Sequence, residues 1–245
     1  MELIHPDWPA PANIRAVMTT RQGGISQPPW DSLNLGLNAG DREADVQANR
    51  QRLASAIGLE AGRIGWLRQV HGTDVVQVPY PQVGAPEADA AWTDQPLSAC
   101  TVLTADCLPV LFCDSEGRQV AAAHAGWRGL AAGVLEATLK TFPEKANVMA
   151  WLGAAIGPES FEVGQDVLDA FVRQDAANAR HFRPHPRHSG KYFANLYGLA
   201  RTRLEAAGVS SIHGGDYCTY RESDRFFSYR RDGVTGRMAS LIWRQ

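Results

Sequence analysis

The chain reads as an α/β protein with a mixed β-sheet. Three observations predict this. Stretches with helical periodicity are interleaved with short apolar runs of strand length, and the interleaving lacks a strict βαβ rhythm, so mixed sheets are favoured over a doubly wound parallel one. The segment Asp114-Ser115-Glu116-Gly117 has turn chemistry between two apolar runs and predicts a hairpin. No GxGxxG or GxxxxGK[ST] sequence is present, so nothing points to a dinucleotide or P-loop fold.

Taken in order, Asn13 to Thr19 reads as a strand. Glu43 to Ile57 reads as an amphipathic helix with Val46, Leu53 and Ile57 on one face and Gly58 as its stop. A strand-rich middle follows: Ile64 to Val70, Asp74 to Val78, Ala99 to Thr104, Pro109 to Cys113 and Gln119 to Ala123. Leu130 to Leu139 is a helix with Leu130, Val134, Leu135 and Leu139 on one stripe. Val148 to Leu152 is a strand, Val167 to Val172 and Leu196 to Leu204 are helices, and Phe226 to Tyr229 and Met238 to Trp243 close the chain as strands. Pro/Gly-rich connections are expected at Gly23 to Pro29, Pro79 to Pro86 and His181 to Gly190. The last holds His181, His185 and His188, but its prolines deny them regular spacing and no cysteine or carboxylate lies within it, so it reads as a solvated loop.

A length of 245 residues suits a large core in one domain or two. A net charge of -2, without a block of like charge, gives no reason to expect nucleic acid or an anionic membrane as partner. No apolar run reaches the ~18 residues of a membrane span. The first residues, Met1 to Pro6, lack the charged head and apolar body of a signal peptide. Four cysteines without a CxxC pair are not a disulfide scaffold, and a reduced, cytoplasmic protein is expected.

Chemistry concentrates in three segments: Gln69-Val70-His71-Gly72, Ala105-Asp106-Cys107 and His124-Ala125-Gly126-Trp127-Arg128-Gly129. Each follows or closes a strand-like run, where a rigid sheet can hold a side chain in a cleft. Two imidazoles and a thiol suit zinc or copper, and they also suit a Cys-His nucleophile pair with Cys107 attacking and His124 as base. Asp106 beside Cys107 is placed to orient a neighbouring donor. Arg128, at a predicted helix start, and Arg21, ahead of Gly23-Gly24, are candidate anion contacts. The arginines of Ser228 to Arg237 read as structural, partly paired with Asp232.

With these segments in view, the chain resembles the YfiH/laccase-domain family of bacterial purine nucleoside phosphorylases, formerly called polyphenol oxidases. The resemblance spans nearly the whole chain. It is carried by Thr20 to Ser26, Leu33-Asn34-Leu35-Gly36, Val46 to Arg50 and Gln69 to Gly72, then by Ala88-Asp89-Ala90, Thr104 to Cys107 and His124 to Gly129. It continues through Ile156-Gly157-Pro158, Phe161 to Gly164 and Ser228 to Gly236. Ala154 stands where many relatives have Pro, and Glu159-Ser160 where many have Cys or small residues.

The resemblance implies one catalytic domain over residues 1–245, an α/β fold of mixed β-sheets packed between helices, related to the catalytic domain of cytotoxic necrotizing factors. It implies a zinc site whose ligands and catalytic residues are His71, Cys107 and His124; Arg21 and Arg128, chosen from their own positions, stay the candidates for substrate contact. It further implies phosphorolysis of purine nucleosides (adenosine, inosine, guanosine and methylthioadenosine) to a free base and ribose 1-phosphate, with adenosine deamination as a second activity. Laccase-like oxidation with copper and a role in peptidoglycan-precursor quality control are alternatives that relatives suggest. Multicopper oxidation needs several coupled copper sites rich in His-X-His pairs, and this chain has none.

Overall fold

The computed structural model describes residues 1–80, 84–143 and 147–245. Three residues of the predicted connection Pro79 to Pro86, numbers 81–83, therefore lie outside the described residues. In chain order the strands and helices are β1 (Leu3–Ile4), β2 (Ile14–Thr19), α1 (Glu43–Ile57), β3 (Ile64–Gly65), β4 (Val75–Gln77), β5 (Ala90–Thr93), β6 (Ala99–Thr104), β7 (Leu108–Asp114) and β8 (Val120–Ala125). They continue with α2 (Trp127–Ala132), α3 (Val134–Leu139), β9 (Val148–Leu152), β10 (Glu162–Gly164), α4 (Gln165–Val172), β11 (Phe182–Pro184) and β12 (Lys191–Ala194). The chain ends with α5 (Leu196–Ala206), β13 (Ser211–Gly214), α6 (Tyr229–Asp232) and β14 (Met238–Arg244).

Two sheets stack face to face. One has the order β1-β2-β14-β6-β3, the other β13-β9-β7-β8-β5-β4, and a small third sheet runs β10-β12-β11. The pairs β3·β6, β4·β5 and β9·β13 are parallel and the rest antiparallel, which makes both large sheets mixed. The predicted hairpin joins β7 to β8, with Gly117 at positive φ and its N–H given to the Asp114 carbonyl.

Alternation along the strands sorts the core into layers. In β7, Leu108, Val110 and Phe112 meet the helices α2 to α5, while Leu111 and Cys113 face the other sheet. Cys100, Val102, Met238 and Ile242 answer them across the space between the sheets. The outer face of the five-stranded sheet, with Val17, Ala239, Leu241 and Trp243, is covered by Leu53 and Ala54 of α1. The layers thus run helix, sheet, sheet, helices. Strands buried on both faces read as continuous apolar runs, and β8, Val-Ala-Ala-Ala-His-Ala, is wholly buried.

Three sequence expectations need correction. The run Ile64 to Val70 is a strand only at Ile64–Gly65. Beyond it the Gln69 side chain, not the backbone, pairs with β6: Nε2 donates to the Leu103 carbonyl at 2.8 Å, and the Leu103 N–H donates to Oε1 at 2.7 Å. The helix expected over Leu130 to Leu139 starts at Trp127 and breaks at Gly133, whose φ of 104° no helix residue adopts. Phe226 to Tyr229 is not a strand. Phe226 and Phe227 are buried, but the Ser228 hydroxyl accepts from the Arg231 N–H and starts α6 instead.

Candidate active site

The three expected donors converge at one end of the sandwich. His71 lies in the turn before β4, Cys107 in the turn between β6 and β7, and His124 near the end of β8. One ligand atom from each lies within 4.8 Å of the others. The imidazoles of His71 and His124 meet edge to face with centroids 4.8 Å apart, and Cys107 Sγ is 3.8 Å from His71 Nε2.

Two of the three positions depend on backbone that side chains rarely adopt. His71 has φ 62° and Asp106, just before Cys107, has φ 89°. Each conformation is held by a carboxylate. Asp106 accepts the Thr219 hydroxyl at 2.6 Å and the Arg230 N–H at 2.7 Å, which pins the Cys107 turn to the segment entering α6. Asp89, fully buried before β5, accepts the N–H groups of Val70, His71 and Gly72 at 3.1, 2.9 and 2.7 Å. The same carboxylate lies 2.8 Å from His124 Nδ1, whereas Asp106 touches neither imidazole. Gly126 completes the approach: a Cβ there would fall 2.8 Å from His71 Cδ2 and 3.0 Å from Cys107 Sγ.

Electrostatics favour a charged pair between the donors. Burial would raise the Cys107 thiol, but the charge and hydrogen bond of His124, aided by His71, bring it down to about 6. Burial would likewise lower His124, and the Cys107 thiolate with Asp89 raises it to about 9. For Asp89, burial acts upward, and the His124 hydrogen bond with the amides of Gly72 and Val70 takes it below the usual carboxylate range. A thiolate, an imidazole whose Nδ1–H is committed to Asp89, and a second imidazole form a three-donor set that fits zinc with one position left open.

The donors open into a cavity of about 640 Å³ lined also by Arg50, Trp66, Thr104, Tyr229 and Arg237. Arg50 projects from α1, lies 3.9 Å over the Trp66 ring and donates Nε–H to the Leu35 carbonyl at 3.0 Å. Burial lowers its guanidinium to about 10. Arg237 donates to the Thr235 and Gly236 carbonyls at 2.8 and 3.0 Å and is lowered by burial too. Among the described residues neither guanidinium forms an ion pair with a carboxylate. Tyr229 stands 61% exposed on the cavity rim.

Arg21 and Arg128 are not brought to this cavity. Arg21 reaches the Asp31 carbonyl and carboxylate and the Ser223 carbonyl, over the Phe227 ring and beside a separate shallow depression. Arg128 is exposed and stacks on Trp127 at 4.6 Å. Sequence reasoning passed over Arg50 and Arg237. Arg50 did leave a signal: a charge on the same helical stripe as Val46 and Leu53, where an apolar side chain is expected. Asp89 left one too, as a lone carboxylate between buried alanines.

The three-histidine loop holds a second group of donors, His185, His188 and Glu162, the last from β10. Its chemistry differs. His185 Nδ1 accepts the N–H groups of Arg187 and His188 at 3.1 and 3.0 Å, so its ring proton sits on Nε2 and faces Glu162 at 3.2 Å. His188 Nδ1 bonds the same carboxylate oxygen at 2.9 Å.

Comparison with known proteins gives a consistent result. A family model described as multi-copper polyphenol oxidoreductase laccase matches residues 15–245. The chain is similar to the Escherichia coli protein named purine nucleoside phosphorylase YfiH, with 52% identity over 99% of this chain and 98% of the relative. Its fold is similar to that of a solved Neisseria meningitidis protein, with TM-score 0.95, 50% identity and 100% of both chains covered. Bacillus licheniformis YfiH superposes with TM-score 0.88 at 31% identity, over 95% of this chain and 93% of that one.

Proposed function

The chain belongs to the family described as multi-copper polyphenol oxidoreductase laccase, and from that premise we propose that it is a metal-dependent purine nucleoside phosphorylase acting as a single catalytic domain. The observation that carries this reading is one cavity in which the donors His71, Cys107 and His124 face two half-buried arginines that have no carboxylate partner among the described residues. Charges drawn this far out of water are ordinarily paired. Two such cations are a ready seat for a dianion, and phosphate is the co-substrate that phosphorolysis requires. The relatives named purine nucleoside phosphorylase support the same substrate class.

His71, Cys107 and His124 would hold zinc, which supplies a Lewis acid with an open position. Arg50 and Arg237 hold phosphate and turn one of its oxygens toward C1′ of the ribose while the purine departs. The product pair is a free base and ribose 1-phosphate. Tyr229 at the rim offers a face to the base. The cavity is large enough for a nucleoside and phosphate together. Adenosine, inosine, guanosine and methylthioadenosine are the proposed substrates, and adenosine deamination would share the site. Copper is the alternative metal; the one three-donor group with free lone pairs among the described residues is too few for multicopper oxidation.

A second reading has its own observation. Cys107 brought down to about 6 beside His124 raised to about 9 is a thiolate–imidazolium pair, the ground state of a Cys-His hydrolase. One zinc per chain separates the two, because a ligating thiolate is not free to attack. The deciding experiment incubates metal-loaded protein with adenosine, with and without phosphate. Adenine and ribose 1-phosphate formed only with phosphate support phosphorolysis; no product from any purine nucleoside would overturn it.

A further inference from the structure

We infer that Asp89 is the positioning residue that sets both imidazoles of the site at once, an inference that rests on the metal reading above. The two histidines are held in different ways. His124 sits on a rigid, buried strand, so its position is given and only its ring must be oriented. His71 sits on an exposed turn, and among the described residues no hydrogen bond orients its ring other than the 3.8 Å contact with Cys107. Its place depends on its backbone, which is kept at φ 62° by three consecutive N–H groups converging on one carboxylate.

Both needs are met by the two oxygens of Asp89. Oδ1 takes His71 N–H at 2.9 Å and His124 Nδ1–H at 2.8 Å; Oδ2 takes Val70 N–H at 3.1 Å and Gly72 N–H at 2.7 Å. The three backbone N–H groups can only donate and they occupy both oxygens, so the acceptor is an ionised carboxylate and His124 Nδ1 must donate to it as well. The Asp89 carbonyl adds a fifth bond, accepting the His124 N–H at 2.7 Å. With Nδ1 of His124 committed as donor, Nε2 is the nitrogen that gives up its proton and presents a lone pair when a metal binds.

An amide cannot replace this group. In Asp89→Asn the new NH₂ faces either the amides of Val70 and Gly72, which releases the His71 turn, or His71 N–H and His124 Nδ1. The second choice moves the imidazole proton to Nε2 and removes the ligand lone pair. Outer partners of a single metal-bound histidine cost about 10–100-fold in metal affinity when removed. With two ligands on one carboxylate, the expected loss lies near the upper end of that range.

The test measures zinc affinity by competition with a chromophoric chelator for wild type, Asp89→Asn, His124→Ala and the double variant. Asp89→Asn weakens zinc about 100-fold, and its loss combines with that of His124→Ala less than additively, because both act through one imidazole. A purely structural role would instead lower the melting temperature of the metal-free protein and leave the affinity of the folded fraction unchanged. Wild type answers a second question without any variant. Long-range nitrogen NMR of the zinc-loaded protein shows His124 protonated at Nδ1. Undiminished affinity in Asp89→Asn, fully additive losses, or a proton on Nε2 of His124 overturns the inference while the metal reading stands. Absence of zinc binding by wild type takes both down.

Discussion

Two groups of donors among the described residues have nearly the same composition, and they anchor their ring protons differently. His71, Cys107 and His124 lie at strand ends between the two large sheets; Glu162, His185 and His188 lie on the small third sheet and the turn between its strands β11 and β12. In the first, Asp89 accepts from His124 Nδ1, so Nε2 is the nitrogen turned to the other donors. In the second, two amides donate to His185 Nδ1, so Nε2 carries the proton and spends it on Glu162. The rings of His185 and His188 also stack at 4.2 Å, nearly parallel, instead of converging on a common point. Proximity of donors is thus a weak guide. Where the ring proton is anchored decides whether a pair of histidines is a ligand set or a hydrogen-bonded clip.

The sharpest break of this contrast is by mutation. Cys107→Ala and His71→Ala should bind no zinc by elemental analysis where wild type is expected to bind one per chain, and should lose the proposed phosphorolysis and adenosine deamination. His185→Ala and His188→Ala should keep zinc and both activities. Zinc retained by Cys107→Ala, or lost from His185→Ala, would reverse the assignment of the two groups.

The next effect concerns the arginines. A charge-assisted hydrogen bond contributes ~1.5–3 kcal/mol, so Arg50→Ala and Arg237→Ala should each raise KM for phosphate by roughly ten- to a hundredfold, read from steady-state kinetics. Arg21→Ala and Arg128→Ala should leave that KM near wild type. The loop group has exposed arginines too, but Arg183 already pairs with Glu159 at 3.0 Å and has no charge to spare.

The smallest effect is a titration. In metal-free protein the Cys107 thiol is lowered to about 6, so the thiolate is present above that pH and lost below it. Alkylation of Cys107 should be at its plateau in neutral and alkaline solution, fall to half near pH 6 and keep falling below it. Cys113, pushed up to about 12 by burial, should stay unreactive throughout. A midpoint near the ordinary thiol value would show that His124 does not stabilise the thiolate.

What could be read beforehand follows the same physics. The bounds of α1 were legible because a long periodic run with a clear stop leaves little choice, and those of β6 and β9 because a short, nearly unbroken run of buried side chains does the same for a strand. The three donors were legible because each ends an apolar run. The short strands β11 and β12 were not, since three- or four-residue strands beside Pro184 carry almost no periodic signal. The place expected for Asp106 fell instead to Asp89. No spacing rule links residue 89 to residues 71 and 124; only the pairing of β5 with β8 brings them together. Glu162 was invisible to the three-histidine loop for the same reason.

The separation of the three donors along the chain has a further consequence. No two of them stand at the short spacing that lets an unfolded segment clamp a metal, as zinc fingers do. The ion therefore has little to grasp until both sheets have closed, and nearly all of its binding energy favours the native state. Free metal at about a thousand times its dissociation constant would add about 4 kcal/mol to unfolding. A site that is finished last in folding can thus serve as the lock on everything folded before it.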